Sequence, residues 1–118
     1  MIRLSPRLFV LLLVPALPAL YFVAPQAAVL AAPAKTQNVS IKMFAFTPQV
    51  LTVTVGTTVT WTNDDEDPHT VVANDKSFHS AALDTDGKFS YTFTKPGEFP
   101  YYCSLHPHMT GKVIVKAG

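Results

Sequence analysis

The chain has 118 residues, 48% of them hydrophobic and only 14% charged, with a formal net charge of +1. That length holds one ordinary domain and excludes two full ones, and the composition excludes intrinsic disorder. The only arginines are Arg3 and Arg7, so beyond residue 34 seven lysines face eight acids, a net charge near −1. A nearly neutral domain lacks the basic surface that phosphate neutralisation requires, which argues against nucleic acid as a partner.

Residues 1–34 read as an address. Leu8 through Ala34 carry no charge and follow Arg3 and Arg7, and Ala32-Pro33-Ala34 supplies a small-x-small processing site before Lys35. Positive start, apolar run and small-residue site describe a secretory signal peptide. Processing near Ala28 or Ala31 is an alternative, and so is retention of residues 8–34 as a membrane anchor. Pro15, Pro18, Pro25 and Pro33 interrupt a spanning helix and weigh against the anchor. Either way the expected location is periplasmic or otherwise extracytoplasmic, with tethering to the membrane only if the segment is kept. Arg3 and Arg7 are not a twin pair, so export in the unfolded state is expected, with any metal acquired afterwards. Small exported domains usually carry disulfides, but Cys103 is the sole cysteine and has no internal mate.

From residue 35 onward the apolar period is two. Val39, Ile41 and Met43 alternate with polar residues, and Phe44 and Phe46 follow. Leu51, Val53 and Val55 alternate with threonines up to Gly56-Thr57, and Val59 and Trp61 repeat the pattern before the break at 63–68. Val71-Val72 is a short apolar run. Residues 74–87 form an irregular crossing loop, with Phe78 and Leu83 expected to tuck inward. Phe89, Tyr91 and Phe93 alternate up to Lys95-Pro96-Gly97-Glu98; Phe99, Tyr101 and Cys103 do so again, and Val113 and Val115 mark the last strand. Short strands rich in β-branched and aromatic residues, separated by turns, predict an all-β, two-sheet Greek-key sandwich over residues 35–118.

The chemistry concentrates near the C-terminus. In Cys103-Ser104-Leu105-His106-Pro107-His108-Met109, cysteine, histidine and methionine recur at three-residue steps, and Pro68-His69 stands upstream. Taken singly each residue has an ordinary explanation: Cys103 as a small buried hydrophobe, His69 as a satisfied imidazole, Met109 as core filler. Taken together, a thiolate, two imidazoles and a thioether form a soft, mixed donor set that suits copper in both oxidation states. Zinc, the rival metal, favours cysteine- or histidine-rich sets and seldom takes methionine. Pro107 is expected to turn the ligand loop, with Met109 leading into the last strand. His69 is expected from the loop after the Trp61 strand, beside the Cys103 strand at one end of the sandwich.

At these residues the sequence resembles the cupredoxins, and within them the amicyanin and plastocyanin-like group of blue copper proteins. The matching stretches are Phe46-Thr47-Pro48, Val59-Thr60-Trp61-Thr62-Asn63, Pro68-His69-Thr70, Tyr91 through Gly97, and Tyr101-Tyr102-Cys103 through Met109-Thr110-Gly111. The resemblance implies one type 1 copper per chain, bound by His69, Cys103, His106 and Met109, and one-electron transfer between redox partner proteins rather than enzymatic catalysis. It implies docking of those partners near His106 and His108, and a monomer is expected. Two residues depart from the pattern. Thr70 stands where many relatives have an asparagine bracing the two ligand loops, and His108 stands where an aromatic side chain is usual. The alternative role is extracytoplasmic copper storage, delivery or resistance with the same ligands. A multicopper enzyme is opposed by the chain length. Asp64-Asp65-Glu66-Asp67 could steer a basic partner, or could simply be a solvated turn.

Overall fold

The computed structural model describes residues 10–26 and 35–118. The chain divides into two units, Met1–Leu30 and Ala31–Gly118. Residues 10–26 contain no helix or strand, and their apolar side chains from Val10 to Val23 are exposed. Among the described residues no helix is long and apolar enough to cross a membrane. The processing site at Ala32-Pro33-Ala34 lies outside the described residues.

Among the described residues of the second unit the two-residue period becomes eight strands: β1 (Thr36–Lys42), β2 (Ala45–Thr47), β3 (Val50–Thr54), β4 (Thr58–Asn63), β5 (Val72–Ala73), β6 (Lys88–Thr92), β7 (Gly97–Cys103) and β8 (His106–Lys116). They form two four-stranded mixed sheets, ordered β2-β1-β4-β6 and β3-β8-β7-β5. β1 runs parallel to β4 and β3 parallel to β8, while the other neighbours are antiparallel. Alternation dictates which face is buried. Val59, Trp61 and Asn63 of β4 are buried, while Thr58, Thr60 and Thr62 between them are only half-buried. Thr58 and Thr60 hydrogen-bond across the strand pair to Thr92 and Ser90, each at 2.7 Å, so the hydroxyls form a cross-strand ladder.

Between the sheets, Trp61 packs against Phe78 at 5.7 Å, and Tyr101 meets Trp61 edge-on at 5.4 Å and Phe46 at 4.7 Å. Phe78 and Leu83 are buried, as expected for the irregular stretch. Two expectations fail locally. Met43 does not continue the inward row of Val39 and Ile41: β1 ends at Lys42, and Met43 is 79% exposed with φ at 51°. Lys42 pairs with Ala45 of β2, so Met43 and Phe44 are the two-residue loop of the β1–β2 hairpin, a position that takes positive φ. The ligand loop also turns earlier than at Pro107. Ser104 and Leu105 make the turn, and β8 begins at His106, which pairs with Cys103.

Tyr101 contains an unusual liability. Among the described residues, its hydroxyl and the Trp61 indole N–H are buried without hydrogen-bond partners. Burial pushes the Tyr101 phenol up to about 12, and the neighbouring indole opposes that shift without cancelling it. A phenol whose folded pKa lies above its unfolded value contributes stability that is complete below pH 10 and lost as pH rises towards 12. Two pKa units correspond to about 3 kcal/mol. Chemical denaturation of wild-type protein and Tyr101→Phe should therefore give stabilities that diverge by about 2–3 kcal/mol between pH 10 and 12, the variant gaining. A difference that stays constant with pH would mean that the phenol is not protected from ionisation.

Candidate metal centre

Three connections converge at one end of the sandwich: the Met43-Phe44 turn after β1, the loop after β4, and the β7–β8 hairpin. Cys103 ends β7 with its side chain fully buried, because it continues the inward parity of Tyr101. His106 starts β8 directly opposite Cys103. From there the pairing jumps to Tyr102 with Thr110, so residues 107–109 bulge out of the ladder. Met109 rejoins the buried face of β8 and belongs to the same core cluster as Cys103. His69 is fully buried and is fixed by paired backbone hydrogen bonds to Leu83, at 3.1 and 2.7 Å. Its loop then crosses to the other sheet, where β5 pairs with β7.

This places His69, Cys103 and His106 around one point, their ligand atoms all within 4.8 Å of one another. Cys103 Sγ lies 3.8 Å from His69 Nδ1 and 3.7 Å from His106 Nδ1. An ion bound at the usual 2.0–2.3 Å by imidazole and thiolate with trigonal angles separates such donors by about 3.7 Å. Both sulfur–nitrogen separations therefore fit a first-row metal as they stand, and the soft sulfur with two imidazoles suits copper. The imidazole planes are inclined at 54° with centroids 5.0 Å apart. His69 and Cys103 are sealed from solvent, whereas His106 is only half-buried and offers an edge to the surface.

The supporting contacts orient these donors. Thr70 N–H donates to Cys103 Sγ at 3.3 Å, a bond that stabilises negative charge on sulfur. Ser104 N–H donates to Thr70 Oγ1 at 2.7 Å, and the Thr70 and Ser104 hydroxyls bond to each other at 2.7 Å. Thr70 thus ties the His69 loop to the Cys103 hairpin through a hydroxyl, in place of an asparagine. The acidic turn is not simply solvated. Asp65 Oδ2 sits 2.9 Å from His69 Nε2, while Asp65 also accepts the N–H groups of Met43 at 2.7 Å and Phe44 at 3.0 Å. Burial pushes the Asp65 carboxyl up, but the hydrogen bonds from Phe44, Met43 and His69 outweigh it and hold the group below the ordinary carboxylate range. An ionised carboxylate only accepts, so Nε2 carries the proton and the Nδ1 lone pair faces Cys103. Sequence reasoning missed Asp65 and Phe44. The available signal was that a buried ligand histidine needs an acceptor for its second nitrogen. His79 and His108 do not join any group of potential ligands among the described residues.

The family model described as "Cupredoxin-like domain" matches residues 11–115. The chain is 36% identical over 80 residues to amicyanin of Paracoccus versutus, covering 64% of this chain and 60% of that protein's length. It is 34% identical over 94 residues to amicyanin-alpha of Methylorubrum extorquens, covering 75% of this chain and 79% of the relative. Among solved structures, a novel purple cupredoxin from Nitrosopumilus maritimus superposes with a TM-score of 0.65 at 35% identity, over 67% of this chain and 98% of that one. With the sandwich, the His-Cys-His cluster and a family match spanning most of its length, the chain belongs to the cupredoxins, the blue copper family.

Proposed function

We propose that the protein is an extracytoplasmic one-electron carrier, not an enzyme, which holds one type 1 copper through His69 Nδ1, Cys103 Sγ, His106 Nδ1 and the Met109 thioether. The observation that carries this reading is the cluster of two imidazoles and one thiol at one end of the sandwich, each Nδ1 standing 3.7–3.8 Å from the Cys103 sulfur. Copper, when bound, supplies the exchange between Cu(I) and Cu(II). The chain's own residues do the rest. The β7–β8 pairing fixes Cys103 against His106, the Leu83 bonds fix His69, and the core around Cys103 and Met109 excludes water. Donors held in place by packing leave little to rearrange on electron transfer. Names such as amicyanin and plastocyanin among the relatives support a carrier. Arg3, Arg7 and the uncharged run to Ala34 support export.

His106 is the route for electrons, since it alone of the three clustered donors reaches the surface. Exposed Met43, Phe44 and Leu105 supply apolar docking area, with exposed Asp64, Glu66 and Asp67 on the same loop system. A redox protein with an apolar contact face and a basic rim fits that surface. Adding Cu(II) to the metal-free protein should produce an intense blue band at one copper per chain. The band should then survive repeated reduction and reoxidation against a moderate chelator. Loss of copper in the first reduction would replace the carrier by copper storage or delivery.

A further inference from the structure

Met43 and Phe44 are consecutive non-glycine residues in the left-handed region, with φ at 51° and 56°. Neither residue type favours that conformation, and two in succession persist only where their surroundings enforce it. One group does so. The Asp65 carboxylate accepts both backbone N–H groups of the turn, and its Oδ2 also accepts His69 Nε2–H. It is itself mostly buried, with 13% of its side chain exposed. The hairpin loop it clamps carries the Phe44 ring over both clustered histidines. Phe44 meets His69 edge-on at 5.3 Å and 81°, and His106 at 5.0 Å and 89°. Phe44 is nonetheless 49% exposed, so its ring separates the imidazoles from solvent rather than filling the core.

We propose that Asp65 and Phe44 form a latch over the metal centre: Asp65 ties the Met43-Phe44 turn to His69, and the ring so placed shields the histidine side of the site from water. This rests on the copper reading above. Asp65 and Phe44 are positioning residues, since neither supplies a donor. The carboxylate does two jobs at once, setting the His69 tautomer and holding down the shield, so loosening one loosens the other.

The test uses the full chain as wild type, Asp65→Ala, Phe44→Ala and the double variant, with Asp65→Asn in case the alanine form fails to fold. In metal-free protein, amide hydrogen exchange at Met43 and Phe44 should accelerate by about tenfold or more in Asp65→Ala. Met43 should stay protected in Phe44→Ala, where its bond to Asp65 survives. In copper-loaded protein each single variant should release copper to a chelator about 10–100-fold faster, and the double variant no faster than Asp65→Ala. Phe44→Ala should also lower the reduction potential, because admitted water favours the more highly charged Cu(II). Unchanged exchange at both amides in the Asp65 variants, additive release rates, or an unshifted potential in Phe44→Ala would each overturn the latch. A wild-type protein without a blue band would instead overturn the copper reading, while amide exchange in metal-free protein would still decide whether Asp65 holds the turn.

Discussion

With copper held as proposed, Cys103→Ser is expected to abolish the blue band and lower copper affinity by more than about a hundredfold, the upper end of what losing a merely supporting group costs. A hydroxyl is a harder donor that stays protonated at neutral pH, so it cannot supply the thiolate bond that gives type 1 copper its colour. The variant should still fold. Cys103 is a small buried residue, and serine oxygen can still accept the Thr70 N–H. The metal-free protein should therefore change in stability by only about 1 kcal/mol. Met109→Leu is the contrasting case. Leucine fills similar buried volume without a donor, so copper and colour should persist while the potential rises. Visible absorption, copper titration and voltammetry of the two variants separate these outcomes. A Cys103→Ser protein that remains intensely blue would remove Cys103 from the ligand set.

Gly111→Ala is expected to be the most destabilising single methyl in the chain. Gly111 lies in β8 directly opposite Tyr101 in β7. A Cβ there would stand 2.4 Å from both Cζ and Oη of Tyr101 and 2.8 Å from Cε2. Carbon atoms cannot approach so closely, and the ring has nowhere to go, wedged against Phe46 and Trp61 with 1% of its surface exposed. Overpacking at such a place costs about 3 kcal/mol. For a domain of this size that is a fall in Tm of about 15–20 °C. The damage extends to the metal centre, because the β7–β8 pair that must part is the one that sets Cys103 against His106. Adding Tyr101→Leu removes the atoms that collide. The double variant should then be more stable than the sum of the two single losses predicts, as a thermal double-mutant cycle would show. Strict additivity would mean that the collision is relieved elsewhere.

The features of this protein that its sequence determines by itself are those whose physics is local. Val59 and Trp61 face inward because strand period is two, and the threonines beside them advertise the outer face, whereas Asn63, expected in the break, is the buried last residue of β4. Cys103, His106 and Met109 stand out because they share one short loop, so their chemistry can be read along the chain. His69 could be nominated from its Pro-His context, but the crossing from one sheet to the other is what brings its Nδ1 to Cys103.

Tertiary placement decided the rest. Alternation sends Met43 inward, yet the chain folds straight back into β2 with Lys42 paired to Ala45, so residues 43 and 44 become a left-handed hairpin loop instead. Only that turn sets Phe44 against the two histidines. The acids at 64–67 look equivalent on paper, but Asp65 alone among them bonds to His69 while its neighbour Asp64 accepts from the Ser40 hydroxyl. Thr70 works as a brace because its hydroxyl happens to reach Ser104, a residue 34 positions away. Each of these depends on where two segments distant in sequence meet. Hydrogen bonds and ring contacts are decided at separations of a few ångströms, which the packing of the two sheets sets and the order of residues does not.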